Sequence, residues 1–102
     1  MIDKKMENAI NKQINAELYS EYMYLSMSAF FESINLKGFS HWMQMQASEE
    51  RIHAMKFYKY LFDRGGKVIL TQIDSPKTKW TSPLEVFKDV YLSLIHISEP
   101  TR

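Results

Sequence analysis

ASEERIHAMKFYKYLFDRGG, residues 47–66, is the stretch on which the reading of this chain turns. Its apolar residues recur at helical spacing, and Gly65-Gly66 closes the run as C-terminal glycines do. At about 100° per residue, Glu50 lies within roughly 20° of Phe39, Met43, Phe57 and Leu61. A carboxylate in the centre of an apolar stripe needs a reason. His53, one turn on, is offset by about 60° and leans toward the same groove. A lone Glu-x-x-His is weak by itself, since the two residues fall three apart by chance often and usually face water.

Working back toward the N-terminus, SINLKG, residues 33–38, is a short polar break with Asn35 as the expected N-cap of the second helix. Before it, Lys4 to Ser33 contains no Pro or Gly, and apolar residues again recur at helical spacing, so a long helix is predicted there. The second helix runs to about Arg64. Two long helices joined by a few residues are antiparallel neighbours. On the first, Glu17 lies within roughly 20° of Met6, Ile10 and Tyr24 and about 40° from Phe31, again in the centre of a stripe. The midpoint between positions 17 and 50 falls at the connection. In an antiparallel pair the two glutamates therefore come level, each about 25 Å from the turn at ~1.5 Å per residue.

Two carboxylates and an imidazole thus converge inside an apolar layer between helices about 8–10 Å apart. Burying one ionised carboxylate costs several kcal/mol, and a second like charge adds to it. Protonation, a buried Lys or Arg, or a bound cation would relieve the cost. The nearest basic residue, Lys56, falls on the flank, closer to Glu49 than to Glu50. A metal satisfies all the ligands at once, and carboxylates with a neutral imidazole suit iron, manganese or zinc better than magnesium or calcium. Glu17, Glu50 and His53 are therefore the candidate metal ligands. Tyr24 sits two turns from Glu17 on the same line, where it is either core or a hydrogen-bonding neighbour of the site. Glu49, about 100° round from Glu50, is either solvated or an outer metal position. Glu21 reads as a flank residue, Trp42, Met43 and Met45 as packing, and His41 and His96 have no identifiable partner.

Beyond Gly66, the residues 67–81, KVILTQIDSPKTKWT, form a connection longer than a helical hairpin needs. Extended at about 3.3 Å per residue, it spans some 50 Å, the length of a long helix. It is expected to cross from one end of a bundle to the other. Ser82-Pro83-Leu84-Glu85 then combines a capping box with Pro at the first helical position, and a third helix is predicted over PLEVFKDVY. The 102 residues allow one small domain. With 13 basic and 12 acidic residues there is no electrostatic case for nucleic acid or a membrane surface. No apolar run reaches the length of a membrane span, and the first residues, MIDKKMENAINKQ, have no secretory h-region. The absence of cysteine excludes disulfides, thiolate metal sites and cysteine nucleophiles. A cytoplasmic protein is the plain expectation.

NAELYSEYMYLSMSAFFE and ASEERIHAMKFYKYLFDRGG together resemble the bacterial non-haem ferritins, over roughly residues 5–91. The resemblance implies an all-α, ferritin-like four-helix bundle. Present here would be its first helix hairpin, the long crossover and the start of a third helix. It implies iron storage and detoxification, with Fe(II) oxidised by dioxygen or hydrogen peroxide at a dinuclear ferroxidase centre and mineral held in a 24-subunit homo-oligomeric shell. Carried over by position, Glu17 and His53 bind the first iron, Glu50 bridges to the second, Glu49 matches an outer iron position, and Tyr24 matches the family's tyrosine near the centre. The crossover resembles the segment lying along a two-fold neighbour, which makes KVIL an interface. Haem-binding relatives carry an axial methionine beside the bridging glutamate; this chain has Ile52 in that region, and no haem is expected.

The sequence also departs from the family. A further glutamate belongs early in the third helix, and Leu94 holds its place. Residues 92–102, LSLIHISEPTR, resemble translated sequencing-adapter DNA, so residues 1–91 are taken as the N-terminal part of the ferritin-like domain and 92–102 as a non-native tail. The truncated chain by itself is then expected to lack ferroxidase turnover. Two other readings stand beside this one. A rubrerythrin-like di-iron protein shares Glu-x-x-His but usually adds a cysteine module. A non-catalytic helical hairpin would act by association, with its glutamates protonated or solvated.

Overall fold

A computed structural model describes residues 2–98, with side chains through residue 94. Three helices follow in order: α1 over Lys4–Ser33, α2 over Lys37–Asp63 and α3 over Pro83–Ser98. Among the described residues there is no strand. This is the helix hairpin, long crossover and third helix that the spacing predicts.

α1 begins where the Asp3 carboxylate accepts the Met6 N–H at 2.8 Å, satisfying one of the first-turn donors. It ends differently from the expectation. Asn35 does not cap α2; it adopts φ 60° just after the α1 C-cap, Ile34. The Leu36 N–H reaches back to the Phe31 carbonyl at 2.9 Å and the Asn35 N–H to that of Glu32 at 3.1 Å. This is a Schellman termination, and Asn takes the left-handed position because its short polar side chain tolerates it better than most. Leu36, the residue that packs back on the core, stands at the start of α2 with no side-chain cap.

α2 closes with the same motif, here with glycine. Gly65 has φ 75°, and the Gly66 N–H donates to the Leu61 carbonyl at 2.8 Å. Gly66 is buried: a Cβ there would stand 3.1 Å from Ile2 Cγ2 and 3.2 Å from Leu61 Cδ2.

The two long helices are antiparallel, and their level is marked by pairs of side chains. Ser28 and Ser40 hydroxyls meet at 2.8 Å, and farther from the turn His53 meets Glu17. Two apolar clusters hold the pair together. Ile10, Ile14 and Leu61 pack near the open end, with Ile2, Leu18, Phe57 and Val68 against them. Tyr24, Met27, Phe31, Met43, Ala47, Trp80, Val86 and Val90 form the larger cluster toward the turn. Full burial of residues such as Phe31, Met27, Met43 and Leu61 contributes about 1.5–3 kcal/mol each.

The connection does cross the length of the hairpin, and α1 guides it. Glu7 accepts the Lys67 N–H at 3.3 Å. Asn11 donates to the Lys67 carbonyl and accepts from the Ile69 N–H, both at 2.9 Å. Asn15 donates to Thr71 Oγ1 at 3.0 Å and to the Gln72 carbonyl at 3.1 Å, and Ser26 to the Lys77 carbonyl at 2.6 Å. One helical step of four residues rises about 6 Å, nearly the ~6.6 Å of two extended residues. Asn11 and Asn15 can therefore engage an extended chain in register. The KVIL stretch accordingly lies extended along α1, with Val68 half-buried and Ile69 and Leu70 more than half exposed.

α3 starts as a modified capping box. Ser82 Oγ accepts the Glu85 N–H at 3.2 Å, while Glu85 reaches back to the Thr81 N–H at 3.3 Å and the Thr81 hydroxyl at 2.7 Å. Trp80 anchors this corner, packing with its ring tilted 58° to that of Phe30 at 5.5 Å between centroids and donating its indole N–H to Asp89 at 2.8 Å. The helix continues to Ser98, past the Tyr91 end that the pattern suggested. LSLIHIS contains neither Gly nor Pro, and the residue before Pro100 is the first disfavoured in a helix. Residues 99–102 of the expected tail lie outside the described residues.

Candidate metal centre

Between the two apolar clusters, Glu17 from α1 meets Glu50 and His53 from α2. Their ligand atoms all lie within 4.8 Å of one another, the one such group among the described residues. His53 Nδ1 is 3.6 Å from Glu17 Oε2 and 3.9 Å from Glu50 Oε2. The i, i+3 spacing of Glu50 and His53 on α2 and the matched depth of Glu17 on α1 create this convergence.

Glu17 is only 7% exposed. Its Oε1 accepts the Gln13 side-chain amide at 3.0 Å, whereas its Oε2 is buried without a hydrogen-bond partner. An acceptor left like that costs roughly 1–3 kcal/mol, more if charged. Glu50 is pushed up from the usual 4.5 to about 8, chiefly by burial, then by the adjoining Glu17 carboxyl, with a smaller contribution from Glu49. Without a cation, the pair therefore holds a proton at neutral pH. Tyr24 is buried and its phenol is raised, first by burial and then by the charges of Glu50 and Glu49.

No basic side chain relieves the two acids. Among the described residues, no Lys or Arg forms an ion pair with Glu17 or Glu50. Arg51, next to Glu50 in sequence, turns instead to Glu21 at 3.2 Å, which confirms Glu21 as a flank residue. His53 is half exposed, so the site opens on one side to the surface. Two carboxylates and one imidazole, one oxygen orphaned and one proton displaceable, match the donors a divalent first-row metal takes. A cation would partner the orphaned Oε2 and supply the positive charge that the surrounding residues do not.

The structure thus brings together Glu17, Glu50 and His53 of the residues singled out from the sequence. Glu49 is exposed and outside that group. Tyr24 is close enough for the acids to act on it, yet its hydroxyl makes no hydrogen bond to either of them. Of the residues placed on the two stripes, Met6 and Phe39 are largely exposed, as are Trp42 and Met45, which were read as packing. Phe39 and Trp42 pack against Phe87 of α3, yet each remains 43% exposed. Gln13 was missed. Its signal was available, since a residue four before Glu17 lies on the same helical face.

Comparison with known proteins gives a consistent picture. A family profile described as the ferritin-like domain matches residues 7–99. The chain is 46% identical over 99 residues to a bacterial non-heme ferritin of Bacteroides fragilis, covering 97% of this chain and 62% of that protein. It is 40% identical over 89 residues to a bacterial non-heme ferritin of Staphylococcus saprophyticus, covering 87% of this chain and 53% of the relative. Among solved structures, an open-pore ferritin from the archaeon Archaeoglobus fulgidus superposes with a TM-score of 0.92 at 48% identity, over 95% of this chain and 60% of that one. An engineered closed form of the Archaeoglobus protein gives 0.93 at the same identity. The chain spans between about half and three fifths of the length of these relatives.

Proposed function

The chain belongs to the ferritin-like domain family, and from that premise we propose that Glu17, Glu50 and His53 are the first iron site of a protein that stores and detoxifies iron. The carrying observation is Glu17 Oε2, a buried carboxylate oxygen that makes no hydrogen bond. An oxidant, dioxygen or hydrogen peroxide, would take an electron from each Fe(II) substrate ion, and ferric mineral would accumulate inside a homo-oligomeric shell of 24 subunits.

The residues have separable tasks in this reading. Glu17 supplies one negative charge at a fixed position. Glu50 supplies the second and gives up its proton as the ion arrives, so binding releases a proton near neutral pH. His53 adds a neutral nitrogen from the side that opens to the surface. Glu50 has the oxygen atoms to bridge toward a second ion, Glu49 lies outward of it as a third position, and Tyr24 lines the inner wall. Haem has no part in this reading.

The ligands of a second ion are not assembled by the described residues, since these three form the one convergent set. The 102-residue chain by itself is therefore expected to bind one metal equivalent without sustained Fe(II) oxidation. Anaerobic titration with Fe(II) or Zn(II), followed calorimetrically, tests the reading. One equivalent should bind, and Glu50→Ala should lose at least 100-fold in affinity. Equal binding by the variant, or none by the parent chain, would leave the alternative of a non-catalytic hairpin standing. Aerobic Fe(II) oxidation well above the buffer rate by the same chain would overturn the single-ion expectation.

A further inference from the structure

We infer that Gln13 is a positioning residue of this site: by holding Glu17 Oε1 with its side-chain amide, it presents Oε2 alone to the metal and fixes Glu17 as a one-oxygen ligand. The inference rests on the metal reading above and adds to it.

The geometry is specific. Gln13 Nε2 donates to Glu17 Oε1 at 3.0 Å across one helical turn, while Oε2 of the same carboxylate has no partner and stands 3.6 Å from His53 Nδ1. A carboxylate free to rotate could offer a metal both oxygens or either one. One engaged at Oε1 has a single orientation. Hydrogen bonds of this kind to ligating groups orient them and commonly matter 10–100-fold in metal affinity.

The second helix supplies an internal contrast. Gln46 stands four residues before Glu50, just as Gln13 stands four before Glu17. Among the described residues, Gln46 makes no hydrogen bond to Glu50. The same spacing thus yields an anchored carboxylate on α1 and one with both oxygens uncommitted to an amide on α2. An anchored ligand holds one ion in place, and an uncommitted one can span two.

Co(II) is the probe, because its visible ligand-field bands report coordination as well as occupancy. In the full 102-residue chain, Gln13→Met and Gln13→Leu both remove the donor with good helix formers. Each should weaken Co(II) binding by about tenfold or more and alter the position or intensity of the bands. Gln46→Met should change neither. Helicity by circular dichroism is read on every variant. Loss of the fold in both Gln13 variants would make the residue structural and overturn the inference. So would unchanged affinity and bands in folded variants, or an equal effect from Gln46→Met. If the parent chain binds no Co(II), or Glu50→Ala binds it as well as the parent, the metal reading itself fails, an outcome distinct from the others.

Discussion

α1 and α2 bury polar groups against each other at two levels, 11 residues or about 16 Å apart along α1. Near the turn, Ser28 and Ser40 share a hydrogen bond at 2.8 Å, and the Gln44 amide donates to Ser28 at 3.1 Å. Every group there finds a partner in the hairpin itself. At the other level Glu17 and Glu50 face each other with a buried oxygen unpartnered and a carboxyl raised to about 8. Both levels interrupt the same apolar seam, yet only one is complete without help. Buried polarity alone does not mark function; buried polarity that the fold leaves unsatisfied does.

The most damaging test removes what the two levels share. Phe31 is fully buried and meets Phe30, Phe39 and Phe87 at 5.3–5.7 Å between centroids. Phe31→Ala should cost about 3–5 kcal/mol, read from urea denaturation, and loosen both levels together. A loss under about 1 kcal/mol would show that the turn-end cluster does not support the hairpin.

Cation addition should separate the levels. Zn(II) at 100 times its Kd should stabilise the chain by about 2.7 kcal/mol, reversed by a chelator. A thermal midpoint indifferent to Zn(II) would erase the distinction between complete and incomplete levels. Two substitutions should then move metal-free stability in opposite directions. Glu17→Leu removes a buried, unpartnered carboxylate and should stabilise by roughly 1–3 kcal/mol. Ser40→Ala strips Ser28 of its buried partner and should destabilise by about 1–2 kcal/mol. Destabilisation by both, measured without metal, would contradict the contrast.

The finest test is pH. The folded Glu50 carboxyl is raised above its ordinary value, so between about 4.5 and 8 the folded chain holds a proton that the unfolded chain has lost. That group's contribution to metal-free stability should be fully present below about 4.5, decline as pH rises through about 8, and level off above it. Bound metal should abolish the decline, because the ionised form is then the favoured one. The serine level has nothing to titrate in that window. A metal-free chain whose Glu50-dependent stability rises with pH, judged against Glu50→Gln, would break the assignment.

The pattern of apolar residues was enough to place α1, α2, the crossover and the onset of α3, and the matched depth of Glu17 and Glu50 followed from helix rise alone. His53 followed as well, because three-residue spacing carries it to the same groove. These are consequences of local periodicity, which any helix must obey. Periodicity says nothing of which oxygen is engaged, which amide is turned inward, or which residue takes a left-handed turn. Asn35 therefore ended one helix instead of starting the next, since the backbone needed a residue at φ 60° where the chain reversed. Asn11 and Asn15 showed their purpose only when the crossover lay against them. Gln13 and Gln46, alike in spacing, diverged because hydrogen bonds depend on orientation to within tenths of an ångström, and packing of the whole hairpin sets that orientation.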